Sequence, residues 1–277
     1  MSGEQPPRID SETAHPARRY DYWLGGKDNF AADRESGDAI AAVFPGIRTA
    51  VLENRKFLQR TVQHAVQTGV RQFLDIGTGL PTADNTHEVA QQADPAARIV
   101  YVDNDPIVLS HARALLTSSP QGATAYIDAD LRRPQDILTD PQLTGTLDLT
   151  KPVALMLVAV LHFLPDHQQA YQIVRTLMHP LAPGSLLIIS HASHDTLAPG
   201  VADDLTTERI PSLRDFTART REQILAFFAG LTLIPPGLQL ISEWRPEPGT
   251  IPPPADQVST YGAIARKTAP APAAGPR

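Results

Sequence analysis

Phe73-Leu74-Asp75-Ile76-Gly77-Thr78-Gly79-Leu80 joins residues typical of a buried strand to a turn with two glycines. Glycine lets the backbone approach a bound ligand where a Cβ would collide with it. Further along the chain, Ile99-Val100-Tyr101-Val102-Asp103-Asn104-Asp105-Pro106 predicts a second strand that ends in acidic residues and opens a helix. Together the two stretches predict a nucleotide-binding βαβ unit, in which Asp103 accepts hydrogen bonds from the hydroxyls of a ribose.

The glycine turn favours S-adenosylmethionine (SAM) over a dinucleotide. A dinucleotide needs a third glycine to seat its pyrophosphate on a helix N-terminus, and Thr82 stands at that position. SAM has no phosphate, and the acidic Asp75 directly before the turn suits its ammonium group. Two alternatives remain. The glycines only shape a turn in another α/β protein, or the unit belongs to an NAD(P)-dependent oxidoreductase, for which we identify no phosphate-binding or hydride-transfer residues.

The composition is that of a globular protein with a complete core, since 42% of the 277 residues are hydrophobic and 19% are charged. A net charge of −6 gives no electrostatic footprint for nucleic acid or an anionic membrane, and no apolar run is long enough to span a bilayer. The chain has no cysteine, which excludes disulfides, thiolate metal sites and thiol catalysis. We therefore expect a cytoplasmic protein that acts on a small molecule, and not on nucleic acid or a membrane.

Strand and helix patterns alternate along the chain and predict an α/β fold with a doubly wound, mostly parallel sheet. After the two strands above, apolar stretches predict further strands over 123–127, 153–160 and 186–189. The segments 231–234 and 258–265 predict a closing antiparallel edge.

The chain divides into four parts by composition. Its ends are polar and proline-bearing, and such stretches bury too little surface to order themselves. Ahead of the first strand, apolar residues at helical spacing predict a long helix over 46–69 that packs on the sheet. The predicted parts are a flexible N-terminus (1–17), an N-terminal helical lid or extension (18–69), a SAM-binding domain (70–267) and a disordered tail (268–277).

Four motifs follow one another in the sequence: Tyr20-Asp-Tyr-Trp-Leu-Gly-Gly-Lys-Asp-Asn-Phe30, Phe73-Leu-Asp-Ile-Gly-Thr-Gly-Leu-Pro-Thr82, Asn85-Thr-His-Glu-Val-Ala-Gln91 and Val100-Tyr-Val-Asp-Asn-Asp-Pro106. In this order they resemble the bacterial SAM-dependent methyltransferase family once catalogued as a domain of unknown function. The resemblance covers residues 15–266. It implies a class I methyltransferase fold, Rossmann-like, with a seven-stranded sheet whose last strand is antiparallel. It also implies SAM as cofactor and S-adenosylhomocysteine (SAH) as product, and it names no methyl acceptor.

The resemblance further implies a path for SAM along one edge of the sheet. Asp103 would accept hydrogen bonds from the ribose hydroxyls, and Asn104 would lie beside the adenine. Asp130, followed by Leu131, would bind the adenine amino group from the end of the third strand, and Asp128 is the alternative for that role. The amino acid end of SAM would lie over the first turn, at Asp75, Gly77, Thr78 and Gly79.

The N-terminal motif predicts a lid that closes over the ligand. Its aromatic residues flank Gly25-Gly26, and charged residues are interleaved, a composition suited to a hinged segment over an aromatic or cationic ligand. The alternative is an arm whose aromatic residues only fill gaps against the sheet. The residues assigned to the substrate or the lid are Tyr20, Tyr22, Trp23, Lys27 and Asp28.

No residue stands out as a catalytic base, and methyl transfer to a good nucleophile needs alignment and desolvation more than acid or base. His162 and His191 follow the fourth and fifth strands at the carboxyl edge of the sheet, where either is a weak candidate for taking a proton. The alternative for each is a hydrogen-bonded loop histidine. The stretch His191-Ala-Ser-His194-Asp195 has no clear further ligand set, so we expect no metal. A SAM-binding regulator without catalytic activity therefore remains an alternative to an enzyme.

Overall fold

The computed structural model of the protein describes residues 9–81, 84–115 and 118–269. The predictions that concern Thr82, residues 1–8 and residues 270–277 lie outside the described residues.

Three helices precede the sheet. They are α1 (Pro16–Trp23), α2 (Ala31–Val43) and α3 (Ile47–Gln67). The buried face of α3, which includes Phe57 and Val62, packs on the sheet. This confirms the predicted long helix, and Gly69 follows its C-cap with a φ of +92°. Pro16 occupies the first position of α1, where its missing N–H leaves no helical hydrogen bond unmade.

One sheet forms the centre of the molecule. Its strands are β1 (Gln72–Ile76), β2 (Arg98–Asp103), β3 (Ala123–Asp128), β4 (Ala154–Val158), β5 (Leu186–Ala192), β6 (Thr232–Leu233), β7 (Gln239–Leu240) and β8 (Thr260–Arg266). Their order is β3-β2-β1-β4-β5-β8-β6, and β7 also pairs with β8. β1 to β5 are parallel, whereas β8 runs antiparallel to β5. The predicted doubly wound, mostly parallel sheet with an antiparallel closing strand is confirmed.

The outer edge of the sheet is split between two short strands. β6 pairs with the end of β8 and β7 with its beginning. The chain between them contains Pro235-Pro236, which cannot donate to a ladder and so interrupts the pairing. The seven strand positions predicted from the sequence are therefore all present, and the edge position holds two strands instead of one.

Eight further α-helices lie among the described residues after β1. They are α4 (Thr86–Ala93), α5 (Pro106–Leu115), α6 (Pro134–Thr139), α7 (Pro141–Thr146), α8 (His167–Met178), α9 (Val201–Asp204), α10 (Arg221–Leu225) and α11 (Ala255–Val258).

The core lies on both faces of the sheet, because side chains alternate along each strand. Leu74, Leu155 and Leu187 belong to the face covered by α8, whereas Phe73 and Met156 belong to the face covered by α3. All residues of β4 are buried, so the continuous apolar run of this strand reflects burial on both sides.

The strand order places the ligand site. β2 and β3 lie on one side of β1, and β4 and β5 lie on the other. The strand order therefore reverses between β1 and β4. At such a point the loops after the two strands diverge and leave a crevice at the carboxyl ends of the strands. The loops after β1, β2, β4 and β5 therefore meet at one edge of the sheet.

Candidate functional site

A cavity of about 740 Å³ opens at this edge, between the strand ends, α1 to α3 and the segment 205–218. Its size suits a ligand such as a nucleoside cofactor together with a small acceptor. The predicted site residues that line it are Asp75, Gly77, Thr78, Gly79, Asp103, Asn104, Asp130, Leu131, Tyr20, Trp23 and His162. The predicted residues outside its described lining are Tyr22, Lys27, Asp28 and His191.

The glycine turn after β1 has one crowded side and one open side. Gly77 and Gly79 both have a left-handed backbone, with φ of +76° and +69°. A Cβ on Gly77 would lie 2.7 Å from Cβ of Val160, which follows β4, whereas a Cβ on Gly79 would meet no atom within 4 Å. Gly77 therefore allows the turn to pack against the end of β4, and Gly79 leaves room for a ligand.

The Asp75 carboxyl lies buried beneath this turn. It is 4% exposed, and its Oδ2 accepts a hydrogen bond from Thr86 Oγ1 at 2.6 Å. Burial raises the pKa of Asp75 to about 6, against the opposing effects of the Thr86 hydrogen bond and the charge of Arg55. A cationic group in the cavity would favour the ionised form of this carboxyl.

Asp103 holds the turn from the end of β2. Its Oδ2 accepts from the Gly79 N–H at 2.8 Å, and its Oδ1 accepts from the N–H groups of Asn104 and Asp105 at 2.8 and 3.0 Å. These bonds fix the orientation of the carboxyl. Burial raises the pKa of Asp103 above its usual value. A carboxylate accepts up to about four hydrogen bonds, so Asp103 keeps capacity for a ligand hydroxyl.

The two acidic candidates for the adenine occupy different positions at the end of β3. Asp130 lines the cavity, whereas Asp128 is exposed and lies outside its described lining. Asp130 Oδ1 accepts from the Arg132 N–H at 2.9 Å, and Leu131 adds a buried apolar side chain beside it. Location favours Asp130, and its contact with adenine stays a prediction.

Buried ion pairs anchor α1 on the loop after β2. Arg18 Nε lies 3.3 Å from Asp105 Oδ2, and Arg18 Nη1 lies 3.7 Å from Asp33 Oδ2. His15 Nδ1 lies 3.0 Å from the same Asp105 oxygen. Burial alone would raise the pKa of Asp105, but the hydrogen bond and charge of His15, with the charge of Arg18, hold it below its usual range. The sequence contains one sign of this ion pair, because Asp105 is a second acidic residue two positions after Asp103.

Gly25 and Gly26 have local structural roles. Gly25 has a φ of +84° directly after the C-cap of α1, as is common where a helix ends. A Cβ on Gly26 would collide with the Asp21 carboxylate, whose Oδ2 accepts from the Asp28 N–H at 3.0 Å. Local packing therefore explains both glycines without a hinge, and the closing of this segment over a ligand stays a prediction.

A chain of hydrogen bonds connects α1 with the centre of the sheet. The Ala159 N–H donates to Ser190 Oγ at 2.9 Å, and the Ser190 hydroxyl donates to Asn54 Oδ1 at 2.6 Å. Asn54 Nδ2 donates to the Tyr20 hydroxyl at 2.9 Å, which donates to Val51 O at 3.1 Å. These bonds fix Tyr20 and Asn54 in the cavity wall. Asn54 was not predicted, because a polar residue in the middle of a helix gives no local signal of a buried partner.

The other residues of the N-terminal motif divide between the cavity and the outer surface. Trp23 lines the cavity, and its Nε1–H donates to a backbone carbonyl of α2 at 3.2 Å. The Tyr22 hydroxyl bonds to α2 on the exposed side, and Lys27 is exposed. Asp28 Oδ2 lies 3.7 Å from His111 Nδ1 on α5. Of the five residues assigned to the substrate or the lid, Tyr20 and Trp23 line the cavity, and the other three lie outside its described lining.

His162 is a neutral histidine in the cavity wall. Its Nδ1 accepts from the Ala192 N–H at 3.4 Å, so the neutral ring carries its proton on Nε2. Burial, with the charges of Arg219 and Arg19, lowers the pKa of His162 to about 3. A group with this pKa takes a proton poorly at neutral pH. The arrangement therefore favours His162 as a hydrogen-bond donor over His162 as a base.

His191 is a structural residue behind this wall. It is fully buried, its Nε2 lies 2.7 Å from Arg219 Nη1, and its Nδ1 lies 2.7 Å from a backbone carbonyl. Arg219 also donates to the carbonyl oxygens of Leu161 and Leu164 at 3.0 and 2.6 Å. His191 and Arg219 together therefore hold the turn that carries His162.

The donor set of the cavity fits SAM. The open side of Gly79 admits a ligand at the turn, and Asp75 supplies a carboxyl for its ammonium group. Asp103 has capacity for a ribose hydroxyl, and Asp130 lies beyond it at the end of β3. Two carboxyl groups beside the turn would repel a pyrophosphate, so this set suits a cationic cofactor better than a dinucleotide.

In the described ranges, no three His, Asp or Glu side chains are grouped so that they could hold a metal ion. Of the helices that the structure describes, none combines the length and the apolar character needed to cross a bilayer.

Comparisons with known proteins agree with this geometry. A family model described as S-adenosyl methyltransferase matches residues 2–268. A solved DUF574 family protein from Streptomyces avermitilis is 44% identical, with a TM-score of 0.88 over 94% of this chain and 100% of that chain. A proposed methyltransferase from Thermobifida fusca is 39% identical, with a TM-score of 0.85 over 97% of this chain and 100% of that chain.

A curated relative matches a shorter part of the chain. Trans-aconitate 2-methyltransferase of Escherichia coli is 30% identical over 111 residues, which are 40% of this chain and 36% of that protein. The match thus spans about a third of the length of this relative.

Proposed function

Because this chain belongs to the S-adenosyl methyltransferase family, we propose that it transfers the methyl group of SAM to a small-molecule acceptor bound in the cavity beside α1 and α2. The observation that carries the proposal is the glycine turn after β1, whose open side at Gly79 lies beside the buried carboxyls of Asp75 and Asp103. Family membership sets the oxidoreductase alternative aside. A cytoplasmic location stays a prediction.

We propose that SAM lies along the edge from β1 to β3. The amino acid end would bind at the turn 75–79, the ribose at Asp103, and the adenine at Asp130 and Leu131 with Asn104 beside it. Two observations support this path. All of these residues line one cavity, and β1, β2 and β3 are neighbours in the sheet.

SAM supplies an electrophilic methyl group on a sulfonium. The part of the protein is to hold the acceptor in line with that group and to exclude water. The apolar side chains of Trp23, Phe44 and Phe216 line the cavity, and an apolar wall disfavours water beside the methyl group. His162, with its proton on Nε2, can orient an acceptor atom by donating a hydrogen bond to it.

The low pKa of His162 favours one second candidate function, a SAM-binding regulator without turnover. An acceptor that must lose a proton would find His162 a poor base. Incubation with SAM and a library of small nucleophiles distinguishes the two functions. Release of SAH above the level without acceptor, with any member of the library, excludes the regulator.

SAM and SAH should stabilise the protein against thermal unfolding, and NAD should not. The expected gain is about 2.7 kcal/mol at a hundredfold excess over Kd, because the ligands bind only the folded state. Differential scanning fluorimetry with the three ligands measures the effect. Equal stabilisation by NAD, or no effect of either adenosyl ligand, would contradict the proposed cofactor.

We propose that residues 18–69 form a lid over the domain 70–267, and that ligand binding stabilises this lid. Tyr20 and Trp23 of α1 line the cavity, and the ion pair of Arg18 with Asp105 holds α1 two residues from the ribose site at Asp103. SAH should therefore slow amide hydrogen exchange in α1, whereas α6, a largely exposed helix outside the described lining of the cavity, should exchange by local opening at an unchanged rate and serves as the internal control. Equal protection of α1 with and without SAH would favour a fixed arm.

The affinity for SAH should fall about tenfold between pH 7 and pH 5, because Asp75 must ionise to pair with an ammonium group. The free protein holds the pKa of Asp75 at about 6, so this carboxyl is mostly ionised at the higher pH and mostly protonated at the lower. Calorimetry at both pH values measures the ratio. The Asp75→Asn variant serves as control and should bind weakly with little pH dependence. A wild-type Kd that is equal at both pH values would remove Asp75 from the ammonium site.

A further inference from the structure

Three arginines are buried within the part of the chain that the structure describes, and the side chain of one of them has neither an ion pair nor a hydrogen bond shorter than 3.4 Å. Arg18 pairs with Asp105, and Arg219 donates to backbone carbonyls and to His191. Arg19 is 3% exposed and lines the cavity, and it forms no ion pair with any described residue.

The hydrogen-bond donors of Arg19 are largely unused. Its Nη1 makes two long contacts of 3.4 Å, with Ser36 Oγ on α2 and with the carbonyl oxygen of Ser212. Its Nε has no partner among the described residues, and the same holds for its Nη2. A guanidinium offers five donors in a planar fork, which matches a carboxylate with two parallel bonds.

Asp33 is the acidic residue whose charge acts on Arg19, and its carboxylate is already bonded to other groups. Asp33 Oδ1 accepts from the His15 N–H at 2.8 Å, Asp33 Oδ2 accepts from the Phe30 N–H at 2.9 Å, and the same carboxylate pairs with Arg18. Burial lowers the pKa of Arg19 to about 10, which still leaves it protonated at neutral pH. A buried charge without a partner is unfavourable, and beside a cavity it favours an anionic ligand.

The position of Arg19 on α1 separates it from the cofactor turn. Trp23 lies one helical turn later on the same face and packs against a cluster that includes Leu213 of the segment 205–218. Ala17 lies on the opposite face and packs against a cluster that includes Leu80, which directly follows the glycine turn. The guanidinium therefore faces the part of the cavity away from the turn, where an acceptor would bind.

We propose that Arg19 binds a carboxylate of the methyl acceptor, and that the acceptor is an acid with an aromatic or other apolar body. This inference rests on the proposed function. Apolar side chains of one cluster line the same cavity, namely Trp23, Ile40, Leu205, Leu213 and Phe216. The amino acid carboxylate of SAM is the competing source of the same chemistry, so the experiment includes an arm for it.

The first arm measures SAH binding by calorimetry to the wild type, to Arg19→Met and to Arg34→Met. Arg34 is exposed on α2 and lies outside the described lining of the cavity, so its variant removes the same charge without altering the ligand space. We expect equal SAH affinity, within about twofold, in all three proteins. If Arg19→Met loses affinity for SAH but keeps its affinity for 5′-methylthioadenosine, which lacks the amino acid, the guanidinium serves the cofactor and the proposal is overturned.

The second arm titrates benzoate, 3-phenylpropanoate and 2-naphthoate, each beside its neutral amide, into the SAH-saturated proteins. At least one acid should bind the wild type and Arg34→Met about 10- to 100-fold more tightly than its amide, and this preference should vanish in Arg19→Met. If no acid binds the wild type more tightly than its amide, the proposal is overturned, whether or not Arg19→Met folds.

The two proposals fail in different ways. Absence of SAH binding to the wild type counts against the proposed methyltransferase function. The acid and amide titrations are then made without SAH, and they still decide whether Arg19 is a carboxylate site.

Discussion

Asp103→Ala should weaken SAH binding roughly 10- to 150-fold, because the ribose hydroxyls lose charge-assisted hydrogen bonds worth about 1.5–3 kcal/mol. The carboxyl lies at the carboxyl end of β2, held by three backbone N–H groups and with capacity left for a ligand. Titration calorimetry gives the ratio of the two dissociation constants. Circular dichroism must show a folded variant, since the substitution also removes those backbone hydrogen bonds.

Asp128→Ala is the matched control. Asp128 lies beside Asp103 in the register of β2 and β3, but it is exposed and outside the described lining of the cavity. Removing its carboxylate changes the net charge by the same amount and should leave SAH affinity within about twofold of the wild type. A folded Asp103→Ala protein that binds SAH as tightly as this control would exclude Asp103 from the ribose site.

Gly77→Ala should lower the free energy of unfolding by about 2–5 kcal/mol, the sum of a left-handed backbone for a residue with Cβ and an overpacked contact. The new Cβ would lie 2.7 Å from Cβ of Val160, and the φ of +76° is strained for alanine. Urea denaturation measures the loss. An alanine variant of unchanged stability would mean that the turn moves freely away from β4.

Gly79→Ala separates the cost of the left-handed backbone from the cost of the overpacked contact. Its φ of +69° is also left-handed, but its Cβ would meet no atom within 4 Å, so only the backbone contribution of about 1–2 kcal/mol should appear. The same Cβ would extend into the cavity. The free energy of SAH binding should therefore fall by more than the free energy of unfolding. Adding Val160→Ala to Gly77→Ala should recover part of the lost stability, whereas it should not help Gly79→Ala.

The parts of the fold that depend on local pattern were predictable. The apolar run of β4 predicted a strand buried on both faces, and all its residues are buried. The helix α3 followed from apolar residues at helical spacing ending before Gly69, and the glycine turn followed from its position after a buried strand. Each of these signals lies within a few residues of the element that it predicts.

The parts that depend on distant partners were not predictable. Arg18 and Asp105 are 87 residues apart, and neither residue type alone predicts a buried ion pair. The Asn54 amide bonds to Ser190 across 136 residues. The short strand β7 lies in a proline-rich segment, where local propensity argues against a strand and pairing with β8 outweighs it. His191, at the end of β5, was a candidate base, and only the placement of a distant arginine assigns it to structure.

Asp103 and Asp105 are separated by a single residue, yet one faces the ligand space and the other holds α1. Any movement of this short backbone segment changes the position of both carboxyl groups, and so affects the ligand space and the ion pair with α1. Binding free energies between two linked sites are reciprocal, so whatever a ligand at Asp103 adds to the attachment of α1, that attachment adds to the affinity for the ligand. With the ribose at Asp103, α1 thereby contributes to the dissociation constant of the cofactor through a shared loop, in addition to its residues in the cavity wall.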